Sequence, residues 1–198
     1  CLFLLIVGCI LLRFSKFSGR QEEAHQINAA CEAYRDEVSS EAAQYDMSDY
    51  VDLLLAVMMQ ESSGQGTDPM QSSEGAYNTR YPQQPNGITD PSYSISCGIQ
   101  ELKYALDKAG CTGPTDLSKI RLALQAYNFG ADSYFAYLEE NGQTVWTAQS
   151  AQAFAQMASG GTQRDEDDPL HDPAGPWDYG DQYYPDHVLR YYHLDNNS

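Results

Sequence analysis

Glu61 is the residue in this chain best placed to do chemistry. It closes a run, Tyr50 to Glu61, in which Val51, Leu53, Leu54, Leu55, Val57, Met58 and Met59 point all round a helix axis. A helix apolar on every side lies in the middle of a domain, which is an odd place to end on a charge. Desolvation and the negative end of the helix dipole both favour the protonated carboxyl there. A carboxyl kept neutral near pH 7 is what a general acid needs to protonate a glycosidic oxygen. On chemistry alone, an exposed Glu at a helix C-terminus is the simpler alternative. Other chemistries find little support. His25, His171, His187 and His193 are scattered with no HExxH spacing, and the chain holds no GxSxG elbow, Walker loop or CxxC pair. No metal or organic cofactor is called for.

The elements that must position Glu61 are helical. Residues 21–45 are Ala- and Glu-rich and free of Gly and Pro, reading as a helix with a weak apolar stripe through Ile27, Ala30 and Tyr34. Ser48-Asp49 is expected to cap the apolar helix, and Gly64 and Gly66 to end it. Residues 62–93 hold no periodicity and are rich in Ser, Gly, Pro, Asn and Tyr, the pattern of a long structured loop of the kind that carries function. Helical spacing resumes from Ser94 to Ala109 through Ile99, Leu102 and Leu106. It recurs after Thr115-Asp116 through Ile120, Leu122, Leu124 and Tyr127 until Gly130, and then through Tyr134, Phe135 and Leu138. Thr147 to Ala158 gives another helix, with Phe154 and Met157 expected inward. Residues 159–186 read as a solvated loop, and Tyr183 to Tyr192 as a short aromatic-rich helix packed on the body. The fold class is all-α: helices around a buried central helix, with a long loop lining a cleft.

The start of the chain is of another kind. Cys1 to Leu12 is unbroken hydrocarbon followed by Arg13, Lys16 and Arg20. Twelve residues fall short of the roughly 20 needed to span a bilayer, but the chain begins with Cys, and residues 1–20 read as the second half of a membrane anchor or signal. The basic flank argues against an exported body under the positive-inside rule. A lipoprotein box ending at Cys9 is the lesser alternative. Residues 21–198 then form one domain. A Cys97–Cys111 bridge and three separate thiols, with Cys31, are both open.

The order of the motifs carries a resemblance. Glu61-Ser62 at a helix end, Gly98-Ile99-Gln100 opening the next long helix and Ala126-Tyr-Asn-Phe-Gly130 as a turn form a three-part signature. In that order it resembles the goose-type lysozyme and lytic transglycosylase superfamily. Met59-Gln-Glu-Ser-Ser63, Asp68-Pro-Met-Gln-Ser-Ser-Glu-Gly75, Tyr77-Asn78, Tyr93-Ser-Ile95 and the ending Tyr179-Gly-Asp181 with Tyr184-Pro-Asp-His-Val-Leu-Arg-Tyr-Tyr192 narrow the match. They are similar to the lysozyme-like domain of CwlT-like cell-wall hydrolases of Gram-positive conjugative elements. The likeness runs from about residue 21 to 193. It implies that Glu61 is the catalytic acid and that Asp68 positions or activates water, although Asp68-Pro69 is also plain turn chemistry. Ser72 or Ser73 would meet the sugar N-acetyl group, Gln100 would line the cleft, and Tyr127 and Asn128 would pack beside the acid. Tyr77, Tyr81 and Tyr93 could stack on sugar rings or simply pack the loop. CwlT-like proteins also carry an NlpC/P60 peptidase domain, for which 198 residues leave no room.

The implied activity is cleavage of the MurNAc-β-1,4-GlcNAc bond of peptidoglycan. Water held by Asp68 would make the enzyme a hydrolytic muramidase; attack by the sugar's own 6-hydroxyl would make it a lytic transglycosylase. A non-catalytic glycan-binding scaffold is the reading from a different class. Localisation would be the outer face of the cell membrane or the wall, held by residues 1–20, with secretion or conjugation machinery as a partner. The charge narrows the ligands. The net charge is −17, and the residues after position 20 hold all 28 acids against eight bases. Such a field repels nucleic-acid backbones and anionic lipid surfaces, so no nucleic-acid partner is expected. Binding to an anionic wall would rest on stacking and hydrogen bonds.

Overall fold

A computed structural model describes residues 25–168 and 171–193. The expected anchor, residues 1–20, lies outside the described residues. Among those described, eight α-helices and one isolated antiparallel bridge, Gln163 to Trp177, make an all-α architecture. The helices are α1 (Ala29–Glu32), α2 (Arg35–Gln44), α3 (Val51–Glu61), α4 (Pro91–Ala109), α5 (Leu117–Phe129), α6 (Ala131–Glu140), α7 (Ala148–Ala158) and α8 (Tyr184–Leu189).

The central helix is α3, where Leu53, Leu54, Leu55, Ala56, Val57 and Met58 are all fully buried. Each large side chain among them contributes roughly 1.5–3 kcal/mol through burial. Helices α2 and α8 pack against it, and α4 against α2 and α5. Local chemistry explains most helix ends. The Asp90 carboxylate accepts from Ser92 N with Pro91 in the first turn, and Gly110 closes α4 in the left-handed conformation. Asp116 caps α5, and Thr147 with Ser150 forms a reciprocal capping box on α7.

The structure departs from the sequence reading at four places. The helix expected over 21–45 is broken at Ala33–Tyr34, starts at the Asn28 cap, and buries Cys31, Val38 and Ala42 rather than the stripe through Ile27, Ala30 and Tyr34. Ser48–Tyr50 winds into a single 3₁₀ turn and supplies no side-chain cap to α3. Helix α4 begins three residues before Ser94, because the Asp90 cap with Pro91 outweighs the apolar spacing that starts later. Met157, expected inward, is 58% exposed, and Phe154 and Ala155 take the inner face of α7. The three body cysteines are free thiols, so the Cys97–Cys111 bridge is not formed.

The long loop lies against α4 at Gly98. A Cβ built there would sit 2.6 Å from Cβ of Met70, a fully buried loop residue. This accounts for glycine in the Gly98-Ile-Gln motif: it lets the loop reach the helix. Gly98→Ala is therefore expected to destabilise the protein by about 1–3 kcal/mol, measured as a fall in the denaturant midpoint at unchanged m. An unshifted midpoint would mean that the loop does not depend on this contact.

Candidate active site

Glu61 is the last residue of α3, and its carboxyl lies at the junction of two lobes of a surface cleft. One lobe, of about 540 Å³, is lined from the C-terminal segment by Asp181, Gln182, Tyr184, His187 and Arg190 among others. The other, of about 700 Å³, is lined by Tyr77, Glu101, Tyr104, Tyr127 and Tyr179 among others. Glu61, Gln71 and Asn128 border both. Burial pushes the Glu61 carboxyl up to about 7. A hydrogen bond from the Tyr184 hydroxyl to Glu61 Oε1 pulls the other way, and the negative field of Asp181, Asp68 and Glu101 adds to the rise. The carboxyl is thus balanced between its two protonation states near neutral pH, as a general acid requires.

Tyr184 and Tyr127 stack beside the acid, ring centroids 6.3 Å apart and planes 22° from parallel. Both hydroxyls titrate well above the ordinary tyrosine range because they are buried near carboxylates. They stay protonated, so both can donate. Tyr127 donates to the Met70 carbonyl at 2.9 Å, tying α5 to the loop. Asn128 anchors the C-terminal segment instead, its Oδ1 accepting from Asp181 N at 2.7 Å. Gln125 Nε2 donates to Asp181 O at 2.8 Å, and the Tyr179 hydroxyl donates to Phe129 O at 3.1 Å. Gly180, at φ +48°, passes so close that a Cβ would lie 2.6 Å from Asn128 Oδ1. The end of α5 is thereby the seat on which residues 179–184 rest, and that seat delivers Tyr184 to Glu61.

The loop is organised from within by Asp68, which is 1% exposed. Its Oδ1 accepts from Ser72 N at 3.0 Å and Ser94 Oγ at 2.6 Å. Its Oδ2 accepts from Ser73 N at 3.2 Å and from the Ser73 hydroxyl. Asp68 does not line either lobe around Glu61, and each of its oxygens already has two donors. Ser72 and Ser73, expected at a sugar, are buried in the same cluster. Ser72 Oγ donates to Ser94 O at 2.9 Å, and Ser73 Oγ accepts from Ile88 N at 2.9 Å. Gln100 turns to its own helix, donating to Ser96 O at 3.1 Å, and is not among the residues lining the two lobes. Tyr77 lines the larger lobe. Tyr81 packs on Tyr93 at 5.5 Å, and Tyr93 donates to Tyr77 O at 3.1 Å; these two rings support the loop. Among the residues singled out in the sequence, then, the structure gathers Glu61, Tyr77, Tyr127 and Asn128 at the cleft. Asp68, Ser72 and Ser73 form a separate cluster behind it.

Two site residues escaped the sequence reading. The sequence places Tyr184 in a closing motif and a packed helix but gives it no part beside the acid, because 123 residues separate it from Glu61 and no local spacing links them. Glu101 follows Gln100 directly, and no motif in the sequence singles it out. It lines the larger lobe, and burial raises its carboxyl to about 7 against the opposing pull of the Tyr77 and Ala76 backbone N–H groups. Its Oε1 is buried without a hydrogen-bond partner. A buried carboxylate oxygen costs free energy unless bonded.

Comparison with known proteins follows the same outline. A family model described as Lysozyme-like matches residues 29–192. Bifunctional muramidase/DL-endopeptidase CwlT of Bacillus subtilis (strain 168) is 35% identical over 173 residues, covering 87% of this chain and 43% of that protein. Pneumococcal vaccine antigen A of Streptococcus pneumoniae serotype 4 is 31% identical over 138 residues, 68% of this chain and 61% of that one. Among solved structures, a protein similar to an NLP/P60-family lipoprotein from Staphylococcus aureus superposes with a TM-score of 0.72 at 26% identity, covering 88% of this chain and 56% of that one. The chain spans about half the length of the curated relatives it matches.

The raised carboxyls set a pH dependence of stability. Glu61 and Glu101 titrate at about 7 when folded and at about 4.3 when unfolded. Between those values the folded state holds more protons, so stability falls as pH rises from about 4 to 7. His187, raised by its bond to Asp181, acts in the same direction. The protein is expected to be more stable at pH 5 than at pH 8, by an amount on the order of a few kcal/mol, with Glu61→Gln flattening the slope. Denaturant titrations at the two pH values measure it. Equal stability in the wild type would contradict the burial assigned to these carboxyls.

Proposed function

The chain belongs to the lysozyme-like family, and from that premise we propose that it cleaves the MurNAc-β-1,4-GlcNAc bond of peptidoglycan with Glu61 as general acid. One observation carries the reading: a half-buried acid, its carboxyl raised to about 7, at the point where two cleft lobes meet. A polymer lying along both lobes puts a bond between two sugars at that carboxyl. Glu61 gives its proton to the bridging oxygen, the C1–O bond of the muramyl residue breaks, and positive charge develops on the sugar ring. The Glu61 carboxylate left behind accepts the Tyr184 hydrogen bond, which favours the ionised form. That bond is therefore strongest after proton transfer, where it assists the step.

In hydrolysis, water supplies the oxygen that joins C1, and its proton leaves to a base. Asp68 was the sequence candidate for that base. Four donors, three within the loop and the Ser94 hydroxyl on α4, occupy its oxygens, so its contribution is to hold the loop that walls the cleft. Of the carboxyls that line the larger lobe with Glu61, we assign the part of orienting water to Glu101, whose carboxyl is raised to about 7 by burial. Tyr77, Tyr104 and Tyr179 give that lobe aromatic surface for sugar rings. A binding module would keep these rings but has no use for an acid poised near neutral pH, so the enzyme reading is preferred. The same acid serves a lytic transglycosylase, in which the muramyl 6-hydroxyl replaces water. The site of action would be the wall, with residues 1–20 holding the domain at the outer membrane face.

Residues 21–198 and the Glu61→Gln variant are to be incubated with Gram-positive peptidoglycan and the released products weighed. The expected outcome is reducing MurNAc ends from wild type and at least about a hundredfold less product from the variant, since general-acid catalysis alone contributes roughly 10²–10⁴. Products lighter by one water would replace hydrolysis with transglycosylation. Equal release by both proteins would remove Glu61 from the chemistry.

A further inference from the structure

The two lobes of the cleft differ in charge. In a chain with eight lysines and arginines after residue 20 and four histidines, the smaller lobe draws together Arg164, Arg190, His171 and His187. The larger lobe is lined by Glu74, Glu101 and Asp132 and by no basic residue. Most of the smaller lobe's charge is already matched. Arg164 lies 3.4 Å from Asp178, and His187 Nδ1 lies 2.6 Å from Asp181 Oδ2. Asp181 also accepts from Tyr183 N at 2.8 Å, and Asp172 accepts from Ala174 N at 2.8 Å.

Arg190 is different. Arg35 and Arg121, elsewhere on the surface, each bond to a carboxylate. Arg190 Nη2 donates instead to the neutral Gln60 Oε1 at 2.9 Å, and its guanidinium lies 4.8 Å from the centre of the Tyr191 ring. No carboxylate of the described residues comes within 4 Å of it. An amide and an aromatic face hold the guanidinium in place without neutralising it, and its remaining N–H donors keep the fork that suits a carboxylate. Gln60, which holds it, is the residue immediately before the acid, so the guanidinium is fixed within the same lobe as the reacting bond.

On the muramidase reading, the occupant of this lobe is a sugar strand in which alternate residues carry a peptide stem on the lactyl group. The stem is the source of carboxylates tied to the sugar whose bond is cut. We propose that Arg190 is a specificity-determining residue that binds a carboxylate of the peptide stem on the muramyl residue occupying this lobe. The acidic lining of the larger lobe disfavours the same group there, so the two lobes together fix which way the strand lies. A wall-polymer phosphate would satisfy the guanidinium equally, and the test separates the two.

The test compares glycan strands with their stems intact and strands from which an amidase has removed them, both before and after hydrofluoric acid has stripped wall phosphate. Arg190→Gln is expected to lower the preference for stem-bearing over stem-free strands, read as the ratio of kcat/KM values, about tenfold, with Arg190→Lys retaining part of it. That loss should persist on phosphate-stripped strands. An unchanged preference in Arg190→Gln overturns the assignment, and so does a loss seen only where wall phosphate is present. The second arm is equilibrium binding of muramyl-peptide fragments to the Glu61→Gln protein with and without Arg190→Gln. If wild type cleaves neither strand, the muramidase reading fails, while a tenfold weaker binding of stem-bearing fragments still supports Arg190 and equal binding overturns it.

Discussion

The hydrogen bond between the Tyr184 hydroxyl and the Glu61 carboxyl is the contact on which the cleft depends. A carboxyl at the end of a helix as apolar as α3 cannot stay charged without a donor. The donor comes from 123 residues away, on a helix whose own place is set by the end of α5. Asn128, Gln125 and Phe129 receive residues 179–181, the chain turns at Gly180, and Tyr184 follows onto α3. Burial raises the acid while the tyrosine restrains the rise. Neither effect alone leaves the carboxyl at about 7.

The second support is the loop between α3 and α4. Loops of this length need internal bonding to hold one shape, and here a buried aspartate supplies it. Asp68 gathers two backbone N–H groups and two hydroxyls, Met70 seats against Gly98, and Tyr127 donates to the Met70 carbonyl. The loop, α4 and α5 are joined in one frame, with Tyr77 and Gln71 presented to the cleft. Charged groups that look catalytic by type can thus be structural by position. Asp68 has four donors, three in the loop and one on α4, whereas Glu101, nearly three turns into α4, lines the cleft.

Much of the fold was legible because its signals are local. The apolar run of α3, the Asp116 and Thr147 caps and the break at Gly130 each act within a turn of the residue that carries them. Misreadings arose where a neighbouring element decides. Met157 has the spacing of an inward residue, but Phe154 and Ala155 fill the inner face of α7. The start of α4 follows its cap and not its apolar stripe. At the site, Glu61, Tyr127 and Asn128 were legible from motif order. Tyr184 and Glu101 were not, since one meets the acid only through tertiary packing and the other is marked by burial that a polar helix position does not announce.

The central claim is that Glu61 keeps its proton close to neutral pH and that Tyr184 limits how tightly. Carbon-13 NMR titration of the Glu61 side-chain carboxyl, in the wild type and in Tyr184→Phe, measures this directly. The account expects a wild-type midpoint at about 7 and a higher one without the tyrosine hydroxyl. A wild-type midpoint near the ordinary glutamate value of about 4.3, unmoved by the substitution, would contradict it.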